Sequence, residues 1–384
     1  MRIGIMLRAV DEKGGIGVYT RNVVVELLQL NKHRENPHTF ILLYRHKHST
    51  GKFADIIRDR PDLVQEEVVS APNKALWDQV AIPLACRRHA LDVLFHPKFT
   101  APLFASCPVV MTVHGADWFM PNQAQFYHAL DVRYMRTFMP LYFRKCTNVI
   151  SVSQLTTQNF EQVLHLPQGK LRTVYFAPAR HFRRIEDAEE LVDVRQRYGL
   201  PERFILTLSR RDGGDTRKNL VQIFRSYAIY HARSSEPIPL VVGGKGLAHF
   251  RQQYDLPFDG YGRDISFPGW LEQIDLPAIY SLADMYLYPS NLEAFPIPIT
   301  EAMACGTPIV TSNVNGLQEI AGDAALQIDP QDTEAIATAI ERVLQDEDLR
   351  HVLSACGLSR SRQFSWDKCA AETLSILEEA ACSR

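Results

Sequence analysis

The sequence lacks close cysteine pairs, long apolar runs and any strong excess of charge. Its seven cysteines are scattered singly, with no Cys-x-x-Cys spacing, which argues against a disulfide framework or a structural zinc site and favours a reducing cytoplasm. No apolar run approaches the roughly 20 residues of a membrane span, and the amino terminus lacks the pattern of a signal peptide. A net charge of −2 gives no overall attraction to nucleic acid or to an anionic membrane, which leaves room only for a local basic patch. We therefore expect a cytoplasmic protein that neither spans a membrane nor binds nucleic acid.

Strand-like and helix-like segments alternate along nearly the whole chain. RIGIML (2–7) is typical of a buried strand and residues 16–30 of an amphipathic helix, and the alternation starts again at Arg203 with the strand-like run FILTLS. Such alternation predicts parallel sheets that are covered by helices. Because 384 residues are too many for one ordinary core, we expect an α/β protein of two domains, with ligands bound beyond the carboxyl ends of the strands.

The domain boundary is predicted at Ala177, within a stretch that has no helix or strand pattern. The first predicted domain spans residues 1–176 and the second spans residues 177–363. Residues 364–384 carry a last amphipathic helix. The periodicity of this helix does not decide whether it caps the second domain or crosses back to the first.

The most informative segment is YPSNLEAFPIPITEAMACGTPIVTSN, residues 288–313. Pro296 and Pro298 argue against a helix before them but are tolerated in a first turn, so we expect Glu293 on a loop and Glu301 on the following helix. The positive end of that helix would suit a diphosphate, and the two carboxylates would accept hydrogen bonds from sugar or ribose hydroxyls. In isolation, either glutamate would be interpreted as an ordinary surface residue.

This segment resembles the signature of retaining glycosyltransferases of family 4, which have the GT-B fold of two Rossmann-like domains with parallel sheets facing a central cleft. The match is close in AMACGTPIV, and the resemblance extends over nearly the whole chain. KGGIGVYTRNVVVEL resembles the family's glycine-rich first loop, VVMTVHG its histidine segment, and RKNL the stretch with its phosphate-binding lysine. FSWDKCAAETL resembles the family's final helix, which crosses back onto the N-terminal domain. The resemblance implies an acceptor-side first domain and a donor-binding second domain.

On the donor side, the resemblance implies that Glu301 binds the ribose hydroxyls and that Lys218 holds the diphosphate. Arg210 is the expected companion of this lysine, although the spacing leaves Arg211 and Arg217 as alternatives. The predicted donor-binding set also includes three residues between the two glutamates: Phe295, Pro296 and Ile297. Without its motif, Lys218 would be interpreted as a solvated helix residue.

Near the transferring carbon, the resemblance implies that Glu293 contacts the hydroxyls of the donor sugar and that His114 lies beside the sugar ring. Gly15 and Gly17 would let the first loop approach the phosphate and the acceptor. Taken alone, the glycines are equally typical of a tight turn, and a histidine at a strand end is more often part of a core. His114 and Glu293 are nevertheless the predicted catalytic pair.

The implied function is transfer of a hexose, with retention, from a nucleotide-diphosphate sugar to a saccharide or lipid-linked acceptor. Fixed cations would stabilise the departing diphosphate, so we expect no cofactor and no essential metal ion. GGIGVYT and RKNL resemble the variants of bacterial mannosyltransferases of surface polysaccharide synthesis, which favours GDP-mannose over UDP-sugars.

Several residues depart from the family pattern. The family's Glu-Gly-Phe-Gly-Leu-Pro becomes EAFPIP, so that Ala294 and Pro296 replace two glycines, and Pro296 has no N–H to offer a phosphate. Asp117 stands in place of an acidic residue that normally follows the histidine directly. The alternative function is therefore a GT-B protein that binds a nucleotide sugar with lost or altered transferase activity.

Two further interpretations concern ligands of other classes. A dinucleotide-dependent oxidoreductase would need G-x-G-x-x-G and an acidic end to its second strand, but KGGIGVYT lacks the last glycine and TFILLYRHK ends in basic residues. Residues 125–146 mix basic and aromatic side chains. They are interpreted either as an interfacial helix in peripheral contact with the inner membrane or as a partly buried helix interrupted by Pro140.

Overall fold

The chain folds into two compact units, and the computed structural model describes residues 1–209, 216–245 and 262–383. The first unit contains Met1–Phe176 and the segment that begins at Ser365, and the second contains Ala177–Phe364. Each unit is built on its own parallel sheet, as the alternating sequence pattern predicts. Within the described ranges, no helix combines the length and the apolar character needed to cross a membrane.

Seven parallel strands form the sheet of the first unit: β1 (Arg2–Met6), β2 (Thr39–Tyr44), β3 (Val64–Val68), β4 (Val93–His96), β5 (Val109–Val113), β6 (Asn148–Ser151) and β7 (Leu171–Thr173). Their order across the sheet is β3-β2-β1-β4-β5-β6-β7. All four residues of β4 and all five of β5 are buried, because helices cover the sheet and leave these central strands no contact with solvent.

The helices that precede the domain boundary are α1 (Gly15–Lys32), α2 (Ala54–Ile57), α3 (Lys74–Leu76), α4 (Ile82–Arg88), α5 (Pro121–Ala124), α6 (Ala129–Lys145) and α7 (Gln154–Leu164). A π-helical turn, Trp77–Ala81, joins α3 to α4. The prediction that Pro140 interrupts its helix is wrong, because Pro140 lies inside α6. Proline costs a helix interior about 3 kcal/mol, and burial of Met139 and Phe143 on either side of it offsets that cost.

The second unit has a sheet of six parallel strands in its described part: β8 (Ile205–Leu208), β9 (Leu240–Gly243), β10 (Ile265–Gly269), β11 (Met285–Tyr288), β12 (Ile309–Ser312) and β13 (Leu326–Ile328). Their order is β10-β9-β8-β11-β12-β13. The described helices are α8 (Ala188–Tyr198), α9 (Leu220–Arg233), α10 (Leu276–Leu282), α11 (Ile297–Ala304), α12 (Asn315–Ala321), α13 (Thr333–Gln345) and α14 (Glu347–Ser361). Asp187, Asp332 and Asp346 cap α8, α13 and α14 by accepting hydrogen bonds from first-turn N–H groups.

The last helix, α15 (Trp366–Cys382), belongs to the first unit. It packs against α1 and against β4, β5 and β6. The indole ring of Trp366 stacks on Phe176, with ring centroids 5.7 Å apart. Glu378 accepts hydrogen bonds from Arg34 (2.6 Å) and His38 (2.8 Å). These contacts place the helix on the first sheet, which its periodicity alone leaves open.

In each sheet the strand order reverses at one point, between β1 and β4 in the first unit and between β8 and β11 in the second. Loops at the carboxyl ends of such strands form the ligand sites of open α/β sheets. In the first unit the loop after β1 leads to Gly15, and His114 follows β5, which neighbours β4. In the second unit the loops after β8 and β11 lead to Lys218 and Glu293. The fold therefore positions the predicted site residues at the carboxyl edge of each sheet, at the reversal point or one strand away from it.

Candidate active site

Lys218 and Glu293 form an ion pair at the carboxyl edge of the second sheet. Glu293 lies on the loop between β11 and α11, where the two prolines predict it. Lys218 ends a 3₁₀ turn, Thr216–Lys218, and is separated from the start of α9 by Asn219. Both side chains are less than one-fifth exposed, at 19% for Lys218 and 17% for Glu293. Two residues 75 positions apart are thus brought into direct contact.

The Glu293 carboxylate is held by three donors that all reach Oε1. They are the ammonium group of Lys218, the hydroxyl of Tyr288 at 2.7 Å and the hydroxyl of Ser290 at 3.1 Å. The Lys218 ammonium also donates to the Tyr288 oxygen. Among the described residues no donor reaches Oε2, so this oxygen is placed to accept a ligand hydroxyl. An ammonium group has three N–H donors, and one therefore remains for an anion.

The start of α11 offers few N–H groups to a phosphate, which differs from the expectation for this helix. Pro296 and Pro298 have no N–H, and the N–H of Ile297 is donated to the carbonyl of Phe295 at 3.1 Å. The N–H groups of Ile299 and Thr300 both bond the carbonyl of Pro296. A phosphate near this helix would have to bind side chains, because the backbone N–H groups of residues 296–300 are missing or already donate to carbonyls of the same segment.

Glu301 and Phe295 are more deeply buried than a simple ligand contact would require. Glu301 lies inside α11 and is 2% exposed, with Tyr280 donating to its Oε2 at 3.4 Å. The ring of Phe295 meets Phe364 edge to face, with centroids 5.8 Å apart. A carboxylate at this depth needs hydrogen-bond donors around it. The ribose contact of Glu301 and the donor contact of Phe295 stay predictions.

Asn219, which is not among the predicted site residues, positions the turn that carries Lys218. Its backbone is left-handed, with φ 59°, directly before α9. Its side-chain amide donates to the carbonyls of Pro289 (3.0 Å) and Pro330 (2.7 Å), which follow β11 and β13. It therefore ties the turn that carries Lys218 to two strand ends. The Lys-Asn pair before a helix could have indicated this turn, because asparagine adopts the left-handed conformation more often than most other non-glycine residues.

In the first unit, the glycine loop is packed closely at one position. A Cβ atom on Gly17 would lie 1.8 Å from the carbonyl oxygen of Glu12, whereas one on Gly14 would meet no atom within 4 Å. The same Glu12 carbonyl accepts a hydrogen bond from Arg21 at 3.0 Å. Gly15 begins α1 and is exposed. Gly17 is thus required for packing of the loop, and the phosphate or acceptor contact of either residue stays a prediction.

His114 directly follows β5 and is held as a neutral imidazole. Its Nε2 lies 3.0 Å from the carbonyl oxygen of Pro97, which can only accept, so we assign the proton to Nε2 and the lone pair to Nδ1. Burial lowers the pKa of His114 to about 4. The rings of Tyr19 and Phe99 meet it edge to face, at 5.0 and 5.4 Å. A neutral imidazole can accept a hydrogen bond from a sugar hydroxyl but carries no charge at neutral pH.

A buried polar network that no sequence motif indicates holds the turn that contacts His114. Asp78 accepts hydrogen bonds from Arg8 (2.5 Å) and from the hydroxyl of Thr100 (2.8 Å). The Thr100 carbonyl accepts one from His96 Nδ1 at 2.6 Å. Burial raises the pKa of Asp78 despite the adjacent guanidinium group, and it lowers that of His96. The network fixes residues 96–100, and through them the carbonyl that orients His114.

The contacts described above do not test the predicted phosphate-binding arginine or the predicted absence of an essential metal ion. Arg210 and its alternative Arg211 fall outside the described residues, and Arg217 supplies a backbone carbonyl to Ser290 at 2.9 Å. Within the described ranges, histidine, cysteine, aspartate and glutamate side chains form no group of three or more that could hold a metal ion. The predicted absence of an essential metal is not tested by that observation.

Family models match both halves of the sequence. Residues 13–176 match the model described as Glycosyltransferase Family 4, and residues 194–358 match Glycosyl transferases group 1. The two matches fall within the first and the second unit respectively. Together they include every predicted site residue, from Gly15 to Glu301.

Curated relatives with similar sequences include mannosyltransferases of Escherichia coli. The O-antigen chain mannosyltransferase B is 29% identical over 328 residues, which cover 84% of this chain and 82% of that protein. The serotype-specific mannosyltransferase WbdA is 29% identical over 228 residues, which cover 58% of this chain and 28% of WbdA. The chain therefore spans most of the first relative and little more than a quarter of the second.

Solved structures resemble the whole chain. A glycosyltransferase from Rickettsia africae superposes with a TM-score of 0.74 at 17% identity, covering 100% of this chain and 99% of that one. Anabaena HepE in complex with UDP and glucose superposes with a TM-score of 0.73 at 17% identity, covering 99% and 100%. At these identities the matches show a shared fold, and ligand contacts do not carry over from them.

Proposed function

Because the chain belongs to glycosyltransferase family 4 and has the GT-B fold, we propose that it transfers a hexose with retention from a nucleotide-diphosphate sugar to a saccharide or lipid-linked acceptor. Mannose is the proposed sugar and GDP-mannose the proposed donor, since the related E. coli proteins are named mannosyltransferases. Since the first of these relatives is named an O-antigen chain mannosyltransferase, we propose an O-antigen-like polysaccharide as the product. A lipid-linked acceptor would bring the protein into peripheral contact with a membrane.

The Lys218–Glu293 pair is the observation that carries this proposal. Breaking the bond between the anomeric carbon and the diphosphate leaves negative charge on the diphosphate, which the Lys218 ammonium would stabilise. Glu293 Oε2 would accept a hydroxyl of the sugar and so fix its orientation. The acceptor oxygen would bond to the anomeric carbon on the face that the diphosphate leaves. Its proton would pass to the leaving phosphate, so that no glutamate need act as a base.

Neutral His114 supports the same proposal from the first unit. Its Nδ1 lone pair would accept a hydrogen bond from a sugar hydroxyl at any pH well above 4. Since Lys218 and the predicted arginine would supply the charge that the leaving group needs, the reaction is proposed to require no divalent cation. Transferase activity that EDTA leaves unchanged would support this independence from a metal ion.

The deciding experiment measures thermal stability with GDP, UDP, ADP and their sugar derivatives, with and without EDTA. A ligand at about 100 times its Kd should stabilise the protein by about 2.7 kcal/mol. We expect a shift with guanosine nucleotides that EDTA leaves unchanged. In Lys218→Gln this shift should be lost, because a charge-assisted bond is worth about 1.5–3 kcal/mol. Arg225→Gln removes an exposed cation from α9 and should keep the shift.

The outcome of this experiment separates the two candidate functions. A stability shift followed by transfer of mannose, with the anomer identified by NMR, supports the transferase. The missing N–H donor at Pro296, where the family pattern has glycine, favours the second candidate, a nucleotide-sugar-binding protein with lost or altered transferase activity. That candidate predicts a shift without transfer or hydrolysis. No shift with any nucleotide contradicts both.

A further inference from the structure

Exposed apolar side chains are concentrated on one part of the first unit. Of the thirteen large hydrophobic residues exposed in the described chain, eight lie on three segments between residues 76 and 141. They are Leu76, Val80, Leu84, Phe104, Leu130, Tyr134, Phe138 and Leu141. Scattered exposed apolar residues need no explanation, but a cluster of this kind marks an interaction site.

Helix α6 has two apolar faces, and only one of them is buried. Met135, Met139 and Phe143 face the core of the first unit. Leu130, Tyr134, Phe138 and Leu141 are spaced by four, four and three residues, which at 100° per residue places them within about 80° of one another on a different face. Leu130 is 70% exposed. The second face is therefore an apolar stripe that the core does not use.

The helical segment of residues 74–88 repeats this arrangement. Leu76, Val80 and Leu84 follow one another at intervals of four and are 42–53% exposed. Trp77 and Ile82, on the other face, are completely buried in the core. The segment thus presents a second apolar stripe to solvent.

The loop between β4 and β5 joins the two stripes. Gln79 donates to the carbonyl of Ala101 (3.1 Å) and accepts from the N–H of Leu103 (2.9 Å). Lys145, in the last turn of α6, donates to the carbonyl of Ala105 at 2.8 Å. Phe104, 70% exposed, lies between these anchor points. Both helical segments are therefore fastened to one short loop that carries Phe104, and we call the eight exposed side chains together the apolar surface.

Basic side chains border the apolar surface, and acidic ones are nearly absent. Arg133 and Arg144 are exposed and lie beside the stripe of α6, and Lys74 and Arg87 are exposed at the two ends of residues 74–88. Asp131 is the one exposed acidic residue on these two helical segments. A protein with a net charge of −2 thus has basic side chains beside these exposed apolar residues.

A cavity of about 580 Å³ opens next to the stripe of α6. Its lining includes Tyr127, Val132, Arg133, Arg136 and Thr137. The guanidinium groups of Arg133 and Arg136 are suited to the phosphate of a lipid headgroup, whereas the hydroxyls of Tyr127 and Thr137 already donate to Asp117 and to the carbonyl of Arg133. The cavity therefore adds cationic donors beside the apolar stripe.

We propose that the apolar surface docks the protein on an anionic phospholipid bilayer, with its aromatic and leucine side chains in the headgroup–acyl boundary and its arginines on the lipid phosphates. An apolar face flanked by basic residues is the arrangement that lies in the membrane interface without crossing it. The proposal rests on the proposed function in one respect, since a lipid-linked acceptor would be met at the same bilayer.

The test is flotation of the full-length protein with vesicles of phosphatidylcholine, alone or with 30% phosphatidylglycerol. We expect binding to the anionic vesicles that weakens at high salt. Arg133→Gln with Arg144→Gln should weaken it roughly 30-fold, at about 1 kcal/mol for each basic residue. Leu130→Ser with Phe138→Ser should weaken it at least about tenfold, because both side chains leave the interface.

Matched controls come from the second unit. Ile274→Ser with Val352→Ser removes two apolar residues of similar exposure, 70% and 56%, and Arg225→Gln with Arg342→Gln removes two exposed arginines. Both controls should bind vesicles as the wild type does.

Vesicle binding that the surface variants leave unchanged, equal binding to uncharged vesicles, or no binding at all would overturn the proposal. Self-association lost in the apolar variant, without vesicle binding, would identify a second copy as the occupant instead. Nucleotide-induced stabilisation, measured on the same variants, separates this result from failure of the proposed transferase.

Discussion

At the scale of single residues, burial decides how His114 behaves. The pKa of an unfolded histidine is about 6.5, whereas burial lowers that of His114 to about 4. The unfolded chain therefore binds the proton first as pH falls, and the free energy of unfolding decreases between about pH 6.5 and pH 4. The difference between these two pKa values corresponds to about 3 kcal/mol in the free energy of unfolding. Buried His96 acts in the same direction.

The measurement compares wild type with His114→Gln in denaturant unfolding at pH 7 and pH 4.5. We expect the variant to lose less stability over this interval, by about 2 kcal/mol, because pH 4.5 still lies above the folded pKa. Equal losses in the two proteins, or an NMR titration of the imidazole with a midpoint near pH 6.5, would contradict the assignment of a neutral buried His114.

Steric contact is the second effect that acts at single residues, and Gly17 provides the test. Gly17→Ala would press a methyl group against the Glu12 carbonyl at 1.8 Å, so we expect destabilisation of about 3 kcal/mol and weakened transferase activity. Gly14→Ala is the control, because its Cβ meets nothing within 4 Å and its φ is −81°. It should cost at most about 1 kcal/mol, from a poorer helix cap. Equal stability of the two variants, measured by thermal unfolding, would show that the loop relaxes freely.

At the scale of elements, Asn219 links the turn before α9 to the ends of β11 and β13. Asn219→Gly keeps the left-handed backbone but leaves the carbonyls of Pro289 and Pro330 without their donor, which should cost about 1–3 kcal/mol. Asn219→Ala should cost about 1 kcal/mol more, because alanine disfavours φ near 59°. Because the turn carries Lys218, nucleotide-induced stabilisation should weaken in both variants. A glycine variant with wild-type stability and binding would exclude a positioning role.

At the scale of the whole molecule, the last helix of the sequence stabilises the first unit. Leu377 is completely buried in α15, so Leu377→Ala should cost about 2–5 kcal/mol. Exposed Ser375 on the same helix is the control, and Ser375→Ala should change stability by less than about 0.5 kcal/mol. Amide hydrogen exchange should accelerate in β4, β5 and β6, against which α15 packs. Faster exchange confined to β11 and β12 would contradict this assignment.

Local features of the chain were predictable because they depend on near neighbours. The alternation of β-branched runs with amphipathic segments determined two parallel α/β units, and two prolines determined that Glu293 lies on a loop and Glu301 on a helix. The prediction about Pro140 is wrong for the converse reason. Local preference disfavours proline inside a helix, but burial of the neighbouring side chains of α6 outweighs it.

Strand and helix periodicity depends on consecutive residues, so the residue types at the end of each strand follow from the sequence alone. The contacts between those residues follow from the folded chain: Lys218 with Glu293, Asn219 with two strand ends, and Asp78 with the turn that orients His114. These contacts join positions up to 111 residues apart. They depend on strand order and register, which packing of the whole sheet sets and no local pattern encodes.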